Sequence, residues 1–336
     1  MFLQEQHLIN ATSRPGFLLL ELSNIWDRQI MCFIGFLVFY LAAVAGNLII
    51  ISAIASDHHL HTPMYFFLMN LAIQDMGQVS VIFPKAMANS LRGSRHISFS
   101  GCVAQVLFFI FFIASDFFLL TVMAYDRYVA ICNPLHYEML MNKQSCIQMV
   151  SAVWVISFFY GILHTGGTFA TPFCSNVIDQ FFCEIPALLK LACSDLYLIE
   201  IGVLFLSSIF SSGCFIFIVV TYVRIFTAVL RIPSVQGRQK AFSTCFPHLI
   251  VFSFFTFTVY FAYLKPTPNS ASHSDLAFTL IYSMLPPMMN PVIYSMRNKV
   301  IKQALSKILG LRSFSKNNIS FLIVQRRILC SITTKT

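Results

Sequence analysis

Apolar runs of bilayer length recur along this chain, and they constrain its fold more than any other feature of the sequence. A helix of about 20 apolar residues crosses the roughly 30 Å hydrocarbon core of a membrane. Strands of a membrane barrel would instead alternate apolar and polar residues over about ten positions. The runs therefore predict an all-α membrane protein with seven transmembrane helices. We place these helices at about 29–55, 63–84, 101–123, 146–167, 198–226, 241–264 and 275–296.

The small number of charged residues excludes a water-soluble domain. Only 10% of the 336 residues are charged and 57% are hydrophobic, whereas soluble domains carry about 25% charged residues. The net charge of +9 is explained by membrane topology, so no nucleic-acid partner is expected. With the N-terminus outside, 15 of the 22 lysines and arginines lie on the inner side and 7 on the outer side, which follows the positive-inside rule. The first inner loop, which has no Lys or Arg, runs against that rule.

A charged pair lies at the inner end of the third predicted helix, in the stretch from Met123 to Cys132. Pro134 disfavours helical geometry in the residue before it, so the helix is expected to end there. An arginine at this depth must be paired or hydrated, and Asp126 can pair with its neighbour Arg127. The spacing alone is equally compatible with an ordinary basic stop at the membrane edge.

Two carboxylates and an amide, Asp75, Asp116 and Asn290, lie inside predicted helices. Asp116 precedes Arg127 by eleven residues, which is close to three helical turns, so both face the same side of the helix. Ionisable side chains in hydrocarbon are costly and functional by default. One interpretation is a cation site, in which the three side chains supply hard oxygen ligands for Na⁺. The other is a proton shared between two neutralised carboxyl groups that hold the helices together.

Four cysteines, Cys102, Cys174, Cys183 and Cys193, fall on the predicted outer side. That side is oxidising, so they indicate two disulfides, and four cysteines allow three pairings. On the same side, Asn10 begins an Asn-Ala-Thr acceptor for N-glycosylation.

The pattern divides the chain into four parts. An outer N-terminus at 1–28 is followed by the seven-helix domain at 29–296. The pattern at 297–310 predicts an amphipathic eighth helix on the inner leaflet, because apolar and basic residues would lie on separate faces of that helix. Residues 311–336 form an inner tail to which we assign no function.

Five motifs in order identify a family. Met-Ala-Tyr-Asp-Arg-Tyr-Val-Ala-Ile-Cys resembles the end of helix three in olfactory receptors, which belong to the rhodopsin-like G-protein-coupled receptors. Together the motifs cover roughly residues 17 to 311. The other four stretches that resemble this family are Gly46–Asn47, Pro63–Leu68, Lys240–Cys245 and Pro287–Ser295.

The resemblance implies a function and its partners. It implies a plasma-membrane receptor with a cytoplasmic C-terminus that binds a small volatile odorant and activates a stimulatory, olfactory-type G protein to raise cyclic AMP. Membrane lipid is the surrounding partner, and no enzyme activity is expected. The resemblance selects the disulfides Cys102–Cys183 and Cys174–Cys193. It also favours Na⁺ at Asp75, Asp116 and Asn290 as the only ion, with no other cofactor.

The resemblance also implies a ligand pocket between helices three, five, six and seven, and a switch at the inner side. Phe109 stands where receptors for amines carry their anchoring carboxylate, so a neutral ligand is favoured. Glu200 on helix five could still pair with an amine, so an amine ligand remains an alternative. The pocket residues are Phe109, Ile110, Ile113, Ala114, Leu206, Ser207, Phe210, Val259, Tyr260, Tyr263, Leu280 and Ser283. The switch residues are Asp126, Arg127, Tyr128, Tyr222 and Tyr294.

The chain departs from the family in helix six, and other classes of protein compete with this interpretation. Pro247 and Thr256 stand where the family commonly has a serine and a tyrosine, which puts the tyrosine's switch role in doubt. A receptor for a lipid or peptide is the nearest alternative. A transporter or channel would use the two carboxylates as an ion path, but the internal repeats common in transporters are not visible. The lone histidines His164 and His248 indicate hydrogen bonds within the bundle rather than catalysis.

Overall fold

Seven long helices form the part of the protein that the computed structural model describes, which is residues 16–20, 26–193, 198–264 and 273–297. They are α1 (Trp26–Ser56), α2 (Pro63–Arg92), α3 (Phe99–Cys132), α4 (Lys143–Ala170), α5 (Leu198–Leu230), α6 (Val235–Leu264) and α7 (His273–Arg297). Short helices at Tyr137–Leu140 and Ile185–Leu189 and 3₁₀ turns at His58–Leu60 and Pro134–His136 lie in the connections. The predicted all-α seven-helix bundle is confirmed.

Local sequence signals set the ends of α2 and α3. α2 begins at Pro63, where a proline loses nothing by lacking an N–H group, and is capped by Gly93 in the left-handed conformation (φ 59°). It runs through Pro84, where the sequence predicted its end, because a membrane helix tolerates an internal proline. α3 extends beyond the membrane span predicted at 101–123 and stops at Cys132, as Pro134 predicted, since the next residue precedes that proline and is not helical.

The outward faces of the bundle are apolar, as expected for surfaces in contact with lipid. Within the described residues, α1 to α5 are long and apolar enough to cross a membrane, and α6 contains a shorter apolar segment at Cys245–Thr258. Large apolar side chains point outward, including Met31 (70% exposed), Phe159 (65%) and Phe205 (65%). Water-soluble monomers rarely expose apolar surface on this scale. The fold is that of a multi-pass membrane protein.

Two prolines of α7 create the points where α1 and α2 attach to it. A proline has no N–H group for the carbonyl four residues earlier, so Pro287 leaves the carbonyl of Ser283 without its helical partner, and Pro291 leaves that of Pro287. Gln78 of α2 donates to the Ser283 carbonyl at 3.2 Å, and Asn47 of α1 donates to the Pro287 carbonyl at 2.9 Å. In hydrocarbon such groups must find partners inside the protein, and the two amides supply them.

Both disulfides, Cys102–Cys183 and Cys174–Cys193, are present. They lie at what we call the disulfide end of the bundle, opposite the Arg127 end. There, strand β1 (Phe17–Leu18) pairs antiparallel with strand β2 (His96–Ile97). The N-terminal segment therefore joins the connections around the end of the bundle.

Residues 171–193, the described part of the connection between α4 and α5, form a lid over the disulfide end. Its Phe181 is buried, and the backbone N–H of Cys183 donates to Gln105 Oε1 on α3 at 2.9 Å. Gln180 Nε2 donates to Thr279 Oγ1 on α7 at 3.0 Å. The lid is thus attached to two different helices in addition to its disulfides.

Several predicted features lie outside the described residues and stay predictions. They are the glycosylation site at Asn10, most of the amphipathic helix at 297–310 and the tail at 311–336.

Gly161→Val is expected to destabilise the bundle, because α3 and α4 meet at this glycine. A Cβ atom at Gly161 would lie 3.0 Å from the carbonyl oxygen of Leu107 and 3.3 Å from its Cδ1 atom. Overpacking of this kind costs about 1–3 kcal/mol. We expect a lower melting temperature for the purified variant in detergent. Gly166→Val on the same helix is the matched control, since a Cβ there meets nothing within 4 Å; equal melting temperatures for the two variants would contradict the packing argument.

Candidate functional site

At the Arg127 end of α3, Asp126 binds Arg127. The Nε atom of Arg127 donates to Asp126 Oδ2 at 2.9 Å, and Nη2 makes a second, shorter hydrogen bond to the same oxygen. Tyr137, in the connection after α3, donates to the other oxygen, Oδ1, at 2.8 Å. Burial, reinforced by Asp126, raises the pKa of the Tyr137 hydroxyl above its ordinary value, so this group remains a donor. The arginine is therefore held in an internal ion pair.

A chain of hydrogen bonds joins α5, α6 and α3 near this pair. The Tyr222 hydroxyl lies 2.7 Å from His248 Nδ1, and His248 Nε2 lies 2.9 Å from the carbonyl oxygen of Leu120. Because a carbonyl can only accept, Nε2 carries the proton and Nδ1 accepts from Tyr222. Tyr222 is thus bound to α6 rather than to Arg127.

The other two predicted switch residues are packed in the bundle. Tyr128 is half-buried against the core around α3. Tyr294 of α7 is buried, and its hydroxyl has no hydrogen-bond partner in the described part of the chain.

The three predicted ion ligands are buried in the middle of the bundle. Asn290 Nδ2 donates to both carboxylate oxygens of Asp75, at 3.1 and 3.0 Å. Neither oxygen of Asp116 has a partner among the described residues, and nor has the Ser115 hydroxyl beside it. A buried carboxylate is costly when it is charged and unpaired, and oxygen ligands of this kind suit a hard cation. No group of three or more His, Cys, Asp or Glu that could hold a metal ion occurs in the described ranges.

A cavity of about 160 Å³ lies between α3, α4, α5 and α6. Ile185, from the lid, contributes to its wall. Most of the wall is apolar or aromatic, and no Asp, Glu, Lys or Arg is among its described residues. The lining residues are Ile110, Ile113, Ala114, Phe117, Phe118, Tyr160, His164, Ile185, Leu204, Ser207, Ser208, Phe210, Ser211, Phe255 and Thr256.

The structure brings five of the predicted pocket residues together at this cavity and places four elsewhere. Those at the cavity are Ile110, Ile113, Ala114, Ser207 and Phe210. The side chains of Val259, Tyr260 and Tyr263 are not among those described.

The four displaced residues have other surroundings. Leu206 is 63% exposed on the outer face of α5, so its assignment to the wall is corrected. Phe109 is buried, with its ring 5.1 Å from that of Phe182 in the lid. Ser283 donates to the Thr279 carbonyl of its own helix at 2.6 Å. Leu280 packs on the core below the lid.

The contribution of α4 was missed by the sequence analysis, which placed no pocket residue on this helix. Tyr160 and His164 line the cavity, and their rings lie 4.5 Å apart. A signal was present, because Gly161, His164 and Thr168 recur at three- and four-residue intervals and are all buried. Small and polar residues on one stripe of a membrane helix indicate its inward face.

Comparison with solved structures defines the class of fold. The crystal structure of squid rhodopsin superposes with a TM-score of 0.67, covering 85% of this chain and 86% of the rhodopsin chain at 16% sequence identity. The chain therefore has a rhodopsin-like seven-helix fold.

Comparison of sequences defines the family. The olfactory receptor family profile matches residues 36–312. Human olfactory receptor 14A2 is 48% identical over 303 residues, which is 90% of this chain and 96% of the relative, and mouse olfactory receptor 1E16 is 45% identical over 309 residues, 92% and 98% of the two chains. The chain belongs to the olfactory receptor family, a family of receptors and not of enzymes.

Asn290→Ala is expected to destabilise the bundle, because it removes both hydrogen bonds to the buried Asp75 carboxyl group. A buried group left without its partner costs about 1–3 kcal/mol. We expect a lower melting temperature of the purified protein. Asn70→Ala is the control, since Asn70 donates only to the Phe66 carbonyl of its own helix; a loss as large as that of Asn290→Ala would show that the pairing with Asp75 is not the cause.

Proposed function

We propose that this chain is a plasma-membrane odorant receptor that binds a small, mostly apolar volatile ligand and activates a stimulatory, olfactory-type G protein, which raises cyclic AMP. The seven-helix domain at 29–296 is the receptor itself, with residues 1–28 extracellular and residues 297–336 cytoplasmic. Membership of the olfactory receptor family supports the class of ligand. The observation that carries the proposal is that α3 both lines the apolar cavity and carries near its end the Asp126–Arg127 pair, in which the carboxylate is buried.

The proposed mechanism is a shift between two arrangements of the bundle. In the arrangement described here Asp126 binds Arg127, and the bonds from Tyr222 through His248 to Leu120 hold α6 against α3. Outward movement of α6 must break these bonds. It would free Tyr222 to approach Arg127 and open a cavity for the G protein. A ligand drives this change only as far as it binds the open arrangement more tightly than the closed one.

The cavity wall supports coupling between ligand and α6. Phe255 and Thr256 of α6 lie in the same wall as Ile113 and Phe117 of α3. The rings of Phe117 and Phe255 are stacked with their centroids 6.3 Å apart. A ligand in the cavity therefore contacts both helices whose separation we expect to change.

We also propose that Asp75, Asp116 and Asn290 hold Na⁺ in the closed arrangement. The support is that both oxygens of Asp116 lack a partner among the described residues and that the charges of Asp116 and Asp75 interact, while Asp75 itself contacts Asn290. A cation bound there would stabilise the closed arrangement and oppose an agonist. A proton shared by the two carboxyl groups would satisfy the same oxygens but would give no dependence on sodium.

Arg127→Ala is expected to reduce ligand-evoked cyclic AMP about tenfold or more. The variant removes the cation that we expect to move from Asp126 to the G protein, and a hydrogen bond to a charged group contributes about 1.5–3 kcal/mol. The measurement is cyclic AMP in cells challenged with a panel of volatiles, at equal surface staining. A direct activator of adenylyl cyclase serves as the control for the pathway. An undiminished response in the variant would refute the mechanism.

Replacing sodium chloride by choline chloride is expected to raise agonist potency about fivefold in receptor membranes, a size typical of coupling between two sites. The measurement is agonist-driven nucleotide exchange on the G protein. Asp75→Asn should remove the sodium effect. Asp57→Asn, which alters a carboxylate at the 3₁₀ turn between α1 and α2, should preserve it. Equal potency in the two salts for the unmodified receptor would favour the shared proton.

A further inference from the structure

In the described wall of the cavity, polar groups from two helices meet at His164 and Ser207. His164 Nε2 on α4 lies 2.8 Å from Ser207 Oγ on α5. His164 is 3% exposed, and the ring of Tyr160 packs against its imidazole. His164 is therefore buried and oriented, and the half-buried Ser207 lies beside it at the edge of a cavity whose remaining wall is mainly apolar.

After its hydrogen bond to His164, the Ser207 hydroxyl can still make a further hydrogen bond to a ligand. A serine hydroxyl donates once and accepts twice, and a neutral histidine nitrogen can either donate or accept. If Nε2 donates to Ser207, the serine proton can reach a carbonyl oxygen of a ligand. If Nε2 accepts from Ser207, the serine oxygen can accept from a ligand hydroxyl group. The pair can thus satisfy either an alcohol or a carbonyl compound.

The neighbouring serine differs in this respect. Ser208 also lines the cavity, but its hydroxyl donates to the Leu204 carbonyl of its own helix at 2.7 Å. Its single proton is used within α5. Ser207 and Ser208 therefore offer the same side chain at adjacent positions with different capacity for a ligand.

The charge and the volume of the cavity restrict the class of ligand further. No Asp, Glu, Lys or Arg belongs to the described wall, and a charged group transferred there would lose its hydration without a counterion. The volume of about 160 Å³ is similar to that of an apolar cavity of about 150 Å³ that binds benzene. A compact neutral molecule fits both limits.

We propose that Ser207, oriented by His164, is the hydrogen-bonding anchor of the cavity and selects neutral ligands of about six to ten heavy atoms that carry one oxygen as an alcohol, aldehyde or ketone. Hydrocarbons of the same shape lack the oxygen, and amines and carboxylic acids bring a charge. This proposal rests on the odorant-receptor function proposed above and specifies its ligand class.

The test uses shape-matched compounds: cyclohexanol, cyclohexanone, methylcyclohexane, cyclohexylamine and cyclohexanecarboxylic acid, with benzyl alcohol, benzaldehyde and toluene as a second series. Binding is measured as a thermal shift of purified receptor, and signalling as cyclic AMP at equal surface staining. We expect the alcohols and carbonyl compounds to bind and signal at lower concentration than the hydrocarbons and the charged compounds. Ser207→Ala should reduce that preference about threefold to tenfold, the value of one neutral hydrogen bond. Ser208→Ala should leave the preference as it is.

His164→Leu provides a second variant. Without the imidazole, Ser207 can turn to a carbonyl of its own helix as Ser208 does, so the preference should fall as in Ser207→Ala. If either Ser207→Ala or His164→Leu fails to reach the surface, the other decides the question.

The results of these experiments distinguish a failure of the anchor proposal from a failure of the proposed receptor function. Three results would overturn the proposal that Ser207 is the anchor. The hydrocarbons could bind as tightly as the alcohols and carbonyl compounds, Ser207→Ala and Ser208→Ala could lose the same amount of preference, or none of these compounds could bind. Cyclic AMP responses to other volatiles would in that case leave the receptor function standing. Oxygen-selective binding that depends on Ser207 but evokes no cyclic AMP would support the anchor and refute the proposed signalling.

Discussion

The bundle depends on polar groups that have no access to water and must be satisfied by neighbouring helices. α7 shows this most clearly, because Pro287 and Pro291 leave two of its own carbonyls without helical partners. The amides of Asn47 and Gln78 occupy those carbonyls, and the Asp75–Asn290 contact adds a third attachment within a few turns. Three attachments from α1 and α2 fix both the depth and the rotation of α7. The prolines therefore leave carbonyl acceptors on α7 available to the other two helices.

The helix α3 connects the cavity, the lid and the ion pair. Cys102 near its start is bonded to the lid through Cys183, and Gln105 accepts from the backbone of the same lid residue. The cavity lies farther along the helix, and Arg127 lies near its last turn. A change in the lid or in the cavity thus acts on the same helix that holds the arginine.

The sequence allowed prediction of whatever depends on hydrophobic length and on neighbours along the chain. It placed all seven helices and put Asp126 next to Arg127, and the resemblance selected both disulfides. It missed Tyr137 as a donor to Asp126, because the geometry of the turn after Pro134 decides that contact. It also assigned Leu206 to the pocket, and it predicted a hydrogen bond for His164 without placing that residue at the cavity. A helix that is apolar on all sides, as α5 is, does not reveal from its sequence which face is turned inward.

The lid gives the protein an order of assembly. The helices need only lipid to form, whereas Ile185 takes its place in the cavity wall two residues after Cys183, whose bond to Cys102 needs an oxidising environment. Insertion of the helices and covalent attachment of the lid are accordingly two separate chemical events. A chain synthesised in a reducing extract would insert its helices with the lid held by its hydrogen bonds to α3 and α7 alone, and the covalent link from the lid to α3 would form only after the thiols had been oxidised.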